Sequence, residues 1–239
     1  MIAITFDIDW ATDVMIADTL DLLNTAGVRA TLFATHATSL FDGIEGHEIG
    51  IHPNFLLTKD YRSEFDRLMG LYPQAKGVRC HSYYQNTQIL DLFVERGLRY
   101  DSNLLMFHCQ GIHAFQNWNG LVRVPVFWED DINYLVGGTW DPQMLSISNP
   151  NSLYVFAFHP VHVFLNTERI DRYKVAKPHC NDTKKLQEFV NSESSGVGTR
   201  VFFKKLLTLI EEKYSSQTLG EIVASLYTNL NKGKFSAQS

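Results

Sequence analysis

The chain has 239 residues, 45% hydrophobic and 20% charged, with a formal net charge of −5. That length and apolar content suit one large core and exclude extended disorder, although Lys232 to Ser239 is polar and weakly patterned. The acidic balance, with no basic cluster, excludes electrostatic binding of nucleic acid, and no apolar run reaches the ~18 residues of a membrane span.

The opening residues lack the charged and apolar regions of a secretory signal. Three widely spaced cysteines, Cys80, Cys109 and Cys180, do not make a disulfide framework, so a cytoplasmic protein with reduced thiols is expected. Strand and helix signals then alternate. Ile2 to Asp7 is a β-branched and aromatic run, the pattern of a buried strand. Asp13 to Ala26 places Ile16, Leu20 and Leu23 on one face, and Gly27 offers a stop. Arg29 to Thr35 and His47 to His52 read as strands. A helix is expected over Lys59 to Leu71, a strand end at Gly77-Val78-Arg79, and a helix over Asn86 to Arg96 capped by Gly97.

Leu98 to Asn103 is a further strand candidate. Leu121 to Trp128 reads as a strand distorted by Pro125. Leu153 to Phe158 is uninterrupted and apolar, as in a fully buried parallel strand. The polar stretch Asn166 to Thr199 breaks the rhythm; a connection of that length is often a lid, here expected over the mouth near His159 and His162. Val201 to Glu212 and Leu219 to Leu230 close the chain as helices. Residues 1–239 therefore read as one βα-rich domain, most simply a barrel.

Chemistry gathers where strands end. Asp7 and Asp9 are two residues apart on an extended segment, so both point into one space. Two carboxylates so close need a cation, a proton or an arginine between them, unless they simply close a strand in a solvated turn. His52, His81 and His159 each follow a strand, and His162 lies three residues further on. Any one of them alone reads as a structural histidine; three strand ends converging with the aspartates point to a site. Aspartate with histidines suits zinc or a similar divalent ion. One acid can then bind the ion while the other takes a proton from water. Arg79 can pair with the free carboxylate. Trp10, Tyr83, Tyr84, Phe127, Trp128 and Trp140 are candidates for stacking on a sugar, with Trp128 favoured because it ends a strand. Asp130 and Asp131 either face the same cleft or form a solvated turn.

Thr5-Phe6-Asp7-Ile8-Asp9 resembles the first motif of the polysaccharide deacetylases, the carbohydrate esterases with the NodB homology domain. Gly46-His47-Glu48-Ile49-Gly50-Ile51-His52 is similar to their second motif. Val78-Arg79-Cys80-His81 resembles the third, Tyr100-Asp101-Ser102-Asn103 a recurring strand, Val124 to Trp128 the fourth, and Phe156-Ala157-Phe158-His159 the fifth. These matches fall in family order over residues 2 to 162. The resemblance implies a distorted (β/α)7 barrel that removes acyl groups, typically acetyl from an N-acetylated sugar, with a divalent metal. It implies Asp7 as general base, Asp9 and His52 as metal ligands, Arg79 as the group orienting Asp7, and His159 as acid or polariser. The His52-Pro53-Asn54-Phe55 run resembles a branch linked to bacterial surface-polysaccharide (O-antigen) biosynthesis.

Two departures stand out. The family's second metal histidine, four residues after the first, is Leu56 here, and the proline of the third motif is His81. His81 is therefore expected as the third ligand, with Asn54, His159 or His162 as the other choices. Trp128 and His162 are expected at the substrate. The alternatives to a metal-dependent sugar deacylase are a metal-free cyclic-amide hydrolase on the same barrel and a non-catalytic saccharide-binding protein. The sugar, its carrier and the oligomeric state are not legible.

Overall fold

The computed structural model describes residues 1–147 and 149–236. Among these residues nine strands form one sheet: β1 (Ile2–Asp7), β2 (Ala30–Ala34), β3 (Glu48–Ile51), β4 (Gly77–Val78), β5 (Tyr100–Asp101), β6 (Phe115–Gln116), β7 (Val122–Arg123), β8 (Trp128–Glu129) and β9 (Tyr154–Phe158). Their order is β6-β7-β5-β4-β3-β2-β1-β9-β8. All pairs are parallel except β6 with β7. The helices are α1 (Asp13–Thr25), α2 (Tyr61–Leu71), α3 (Thr87–Glu95), α4 (Asp130–Val136), α5 (Pro160–Leu165), α6 (Ile170–Ala176), α7 (Thr183–Gln187), α8 (Thr199–Lys213) and α9 (Leu219–Ser236).

The two ends of this order are one run of chain. Val122 N bonds to Arg99 O, Val124 N to Asp101 O and Val126 N to Leu104 O, and then Phe127 N bonds to Val155 O. The segment thus leaves β5 at one end and joins β9 at the other, curling the sheet into a barrel. Pro125 sits between β7 and β8, where a missing N–H interrupts regular pairing. Counted as one stave with β1 to β5 and β9, this run makes the distorted (β/α)7 barrel.

Period-2 alternation sorts the side chains. Ile2, Ile4, Phe6 and Ile8 pack outward with helical residues such as Met15, Phe203 and Leu206. Ala3 joins an inner cluster with Phe33, Tyr100, Val155 and Ala157, and Leu219, Ile222 and Val223 of α9 belong to the same cluster. Each fully buried large side chain contributes on the order of 1.5–3 kcal/mol. Gly50 is one place where the interior is tight: a Cβ there would lie 2.7 Å from the Phe33 ring and 2.9 Å from Gly77 O. Glu48, two residues earlier on the same face, accepts from Thr31 Oγ1 and Gly220 N at 2.8 Å and from Tyr100 Oη at 2.9 Å. It ties α9 across the base of the barrel. Thr5, Asp7 and His52 occupy the inner positions toward the other end, where parallel barrels place their sites.

Several elements differ from the sequence reading. Leu98 to Asn103 contributes only Tyr100–Asp101 as strand, and the short helices α4 and α5 lie in stretches too brief to show helical periodicity. Asn166 to Thr199 is built from α6, α7 and two 3-10 turns, not a plain loop. Its first half lies near the mouth, with Tyr173 on His162 at 4.6 Å between centroids. Its second half folds back onto α8, where Glu193 pairs with Arg200 at 3.1 Å and Lys204 at 2.7 Å. The last helix runs beyond Leu230 to Ser236, so most of the weakly patterned Lys232 to Ser239 segment is helical, and 237–239 lie outside the described residues.

Candidate functional site

β1 delivers Asp7 at its end and Asp9 just beyond. β3 delivers His52, whose N–H bonds to Ala34 O at 2.8 Å. Beyond β4, Arg79 N bonds to Ile51 O and His81 N to Pro53 O, which carries Arg79 and His81 alongside the His52 segment. The structure brings Asp9, His52 and His81 together, with ligand atoms within 4.8 Å of one another. Asp9 Oδ2 lies 2.8 Å from His52 Nε2 and 3.0 Å from His81 Nδ1. Leu56, at the family's histidine position, is exposed on the wall of the adjoining cleft.

His52 is 2% exposed, and neither of its ring nitrogens makes a hydrogen bond of acceptable geometry. A buried imidazole without partners is costly, and the short His52–Asp9 contact does not have the angle of a hydrogen bond. Asp9 Oδ2 is shared by the two imidazoles, hydrogen-bonded to His81 Nδ1 at 3.0 Å but not to His52. A carboxylate and two imidazoles are also a donor set zinc accepts. The residues therefore fit a divalent ion. Burial opposes the charge on Asp9, yet the His52 charge and the His81 hydrogen bond hold its carboxyl well below the usual range. Burial likewise opposes a charged His52, and Asp9 with Asp7 raises it.

Asp7 stands behind this triad. Its Oδ1 accepts from Arg79 Nη1 at 3.1 Å and lies 3.6 Å from His52 Nδ1. Arg79 is fully buried and held from all sides. It donates to Thr5 Oγ1 at 2.9 Å, Ser102 O at 3.2 Å and Ser102 Oγ at 2.9 Å, and its guanidinium sits 4.6 Å from the Phe33 ring centroid. A guanidinium held this firmly fixes the orientation of the carboxylate it meets.

His159 follows β9, adjacent to β1. Its Nδ1 lies 2.8 Å from Asp130 Oδ1, and its backbone N–H donates to Asp130 Oδ2 at 2.9 Å. Burial works against a charged imidazole here, but Asp130, supported by Asp131 and Asp7, raises it well above the ordinary histidine value. Asp130 is fully buried, so the solvated-turn reading of that residue is corrected.

Two expectations about substrate contacts are also corrected. Trp128 is fully buried, its indole stacked on Phe202 at 4.2 Å and its Nε1 donating to Asn133 Oδ1. A ring sandwiched in the core has no face for a sugar. His162 is buried, with Nδ1 3.1 Å from Thr167 Oγ1 and Nε2 3.4 Å from Tyr134 Oη. Burial, then the charges of His159 and Lys177, hold it well below the ordinary value, so it is a neutral ring supporting His159 from behind.

Glu129 and Tyr83 carry signals the sequence reading did not use. Glu129 donor atoms lie within 4.8 Å of those of Asp7 and His159, and its Oε2 is buried without a partner. Burial, then Asp131, pushes its carboxyl well above the usual range, which makes it a neutral acid. Tyr83 Oη is likewise buried without a partner, and Ser82 and Tyr83 take φ of 55° and 53°. Strain and unmet polar atoms of this kind cluster at functional sites. The open side of the triad is a cleft of about 660 Å³ walled by Trp10, Thr35, Asn54, Leu57 and Arg67 among others.

The profile of the WbmS-like polysaccharide deacetylase family matches residues 4–177. A crystal structure from Bordetella bronchiseptica, provisionally described as the polysaccharide deacetylase WbmS involved in O-antigen biosynthesis, is 39% identical with a TM-score of 0.81. The match covers 87% of this chain and 90% of that one. The peptidoglycan deacetylase PdaC from Bacillus subtilis gives a TM-score of 0.53 at 10% identity, over 100% of this chain and 97% of that one. A 4-alpha-glucanotransferase from Thermococcus litoralis gives 0.54 at 11%, over 94% of this chain and 38% of that one. At such identities the likeness is one of fold, and the fold alone does not name a reaction. No curated protein matches the chain. Motif order, barrel and profile agree: the chain belongs to the WbmS-like polysaccharide deacetylases, hydrolases of carbon–nitrogen bonds other than peptide bonds.

Proposed function

We infer that the protein is a metal-dependent deacylase of an N-acylated sugar, releasing acetate or formate during assembly of a bacterial surface polysaccharide. The observation that carries this reading is the convergence of Asp9, His52 and His81, with both ring nitrogens of buried His52 left without hydrogen bonds. Those three residues would hold a divalent ion such as zinc, which when bound supplies Lewis acidity and lowers the pKa of water. Asp7 takes the proton of the attacking water, and the hydrogen bond from Arg79 keeps that carboxylate aimed. His159 gives a proton to the departing amine, with Asp130 fixing its Nδ1 so that Nε2 is the donating atom. The O-antigen setting is supported by the description of the Bordetella bronchiseptica relative. A reducing, cytoplasmic setting is supported by three free cysteines. No helix among the described residues is long and apolar enough to cross a membrane.

The metal-free alternative drew its force from Leu56. With His81 within 3.0 Å of Asp9, a third donor exists without position 56. The test is elemental analysis of the purified protein, then chelation and re-addition of zinc, cobalt or manganese, with acetate and formate release followed on N-acylated sugar phosphates. Turnover that is undiminished in chelator would sink the reading.

A further inference from the structure

Ile8, Asp9, Trp10 and Ala11 form a four-residue turn closed by a 3.2 Å hydrogen bond from Ala11 N to Ile8 O. At its third residue, Trp10, φ is 58°. Glycine or asparagine takes such a position without penalty, whereas a large aromatic residue is strained there. The indole repays none of that strain in the core: Trp10 is 54% exposed, between the buried residues Ile8 and Ala11 in the same turn. The turn directs Asp9 at the two histidines and leaves the next side chain on the wall of the same cleft.

Lys177, just beyond α6, meets this indole. Its Nζ lies 4.2 Å from the Trp10 ring centroid and 5.5 Å from that of Tyr173. Among the described residues it has no carboxylate partner. An ammonium over an aromatic face fixes the ring, and here its charge stays uncompensated.

We propose that Trp10 and Lys177 form a saccharide subsite beside the triad, the indole stacking on a sugar ring and the ammonium pairing with an anionic substituent on that sugar. A rigid aromatic face supplies contact area at little entropic cost and suits the apolar face of a pyranose. Because Trp10 adjoins Asp9 in the chain, a ring stacked there sits next to the groups that would act on its N-acyl substituent. The anion is a carboxylate on the ring or a phosphate at its anomeric carbon. The subsite rests on the deacylase reading of this cleft, but binding, not turnover, decides it.

Metal-loaded protein is titrated calorimetrically with N-acetylglucosamine, N-acetylglucosamine 1-phosphate and N-acetylglucosaminuronic acid. At least one anionic probe is expected to bind more tightly than the neutral sugar, and the preferred anion names the group. Lys177→Met removes that preference, bringing the anionic probes down to the affinity of the neutral sugar. Trp10→Ala weakens all three by roughly tenfold, the usual scale for losing one anchoring aromatic, and Trp10→Phe recovers most of it. Metal content and Tm of the variants stay native. Equal affinity for all three probes, native-like binding by Trp10→Ala, or binding of none overturns the proposal. Intact binding without acyl release would instead remove the deacylase reading and leave the subsite standing.

Discussion

Two clusters on the barrel mouth have the same composition, one aspartate and two histidines, and opposite states of satisfaction. In Asp9–His52–His81, buried His52 has no hydrogen bond from either ring nitrogen. In Asp130–His159–His162, His159 Nδ1 rests on Asp130 at 2.8 Å, and both nitrogens of His162 have partners. On the proposed reading, the set with an orphaned histidine takes a cation, while the satisfied one holds a proton where it is wanted. Residue types alone do not separate these chemistries; the remaining hydrogen-bond capacity does.

The largest effect should come from breaking the first cluster. His52→Ala or His81→Ala is expected to cut metal affinity by more than the roughly 10–100-fold typical of residues that merely support ligands. Metal analysis after dialysis measures it, and His162→Ala should keep full occupancy. Equal metal loss from both clusters would erase the distinction between them.

Next in size is Asp7→Asn, expected to keep the metal and lower kcat by ~10²–10⁴-fold. Metal loss in that variant would mean Asp7 belongs to the cation cluster.

Asp130→Asn sharpens the second cluster through pH. The folded pKa of His159 is raised, so the pair's stabilisation is fully present below the ordinary value of 6.5 and is lost as pH rises through the folded value. The imidazolium acid disappears over the same range. Without the Asp130 charge the alkaline limb of kcat should move to lower pH, with roughly tenfold loss per unit above the new pKa. An unmoved limb would detach His159 from proton donation.

Trp128→Leu is the smallest effect on catalysis. A core cavity should cost on the order of 2 kcal/mol and lower Tm by roughly 4–8 °C, with KM unchanged. A raised KM at native Tm would return Trp128 to the substrate.

Much of this was legible because strands announce themselves. Alternation along Ile2 to Asp9 places Asp7 and Asp9 on one side, and the strand-end histidines follow from apolar runs that stop at His52 and His159. What stayed hidden depends on partners distant in the chain. Trp128 ends a strand, as expected of a cleft residue, but Phe202 of α8 covers it. Asp130 looks like half of a solvated acidic pair until β9 brings His159 onto it. The 166–199 stretch is polar because its short helices bury little, so no periodicity marks them. One of its contacts at the mouth, Lys177 on Trp10, spans most of the barrel's chain length.

The register of β1 has a consequence for synthesis. β1 pairs on one side with β2, Ile4 opposite Ala30, but on the other with β9, Ile2 opposite Tyr154. At ribosomal speeds of about 5–20 residues per second, the first strand waits roughly ten seconds or more for its second neighbour. Through that interval an apolar edge stays open to wrong pairing, and a chaperone that shields it should raise the yield. The same delay keeps a nascent chain inert. On the proposed mechanism Asp7 takes the proton and His159, some 150 positions later in the chain, gives it back, so a product interrupted between them would carry one without the other.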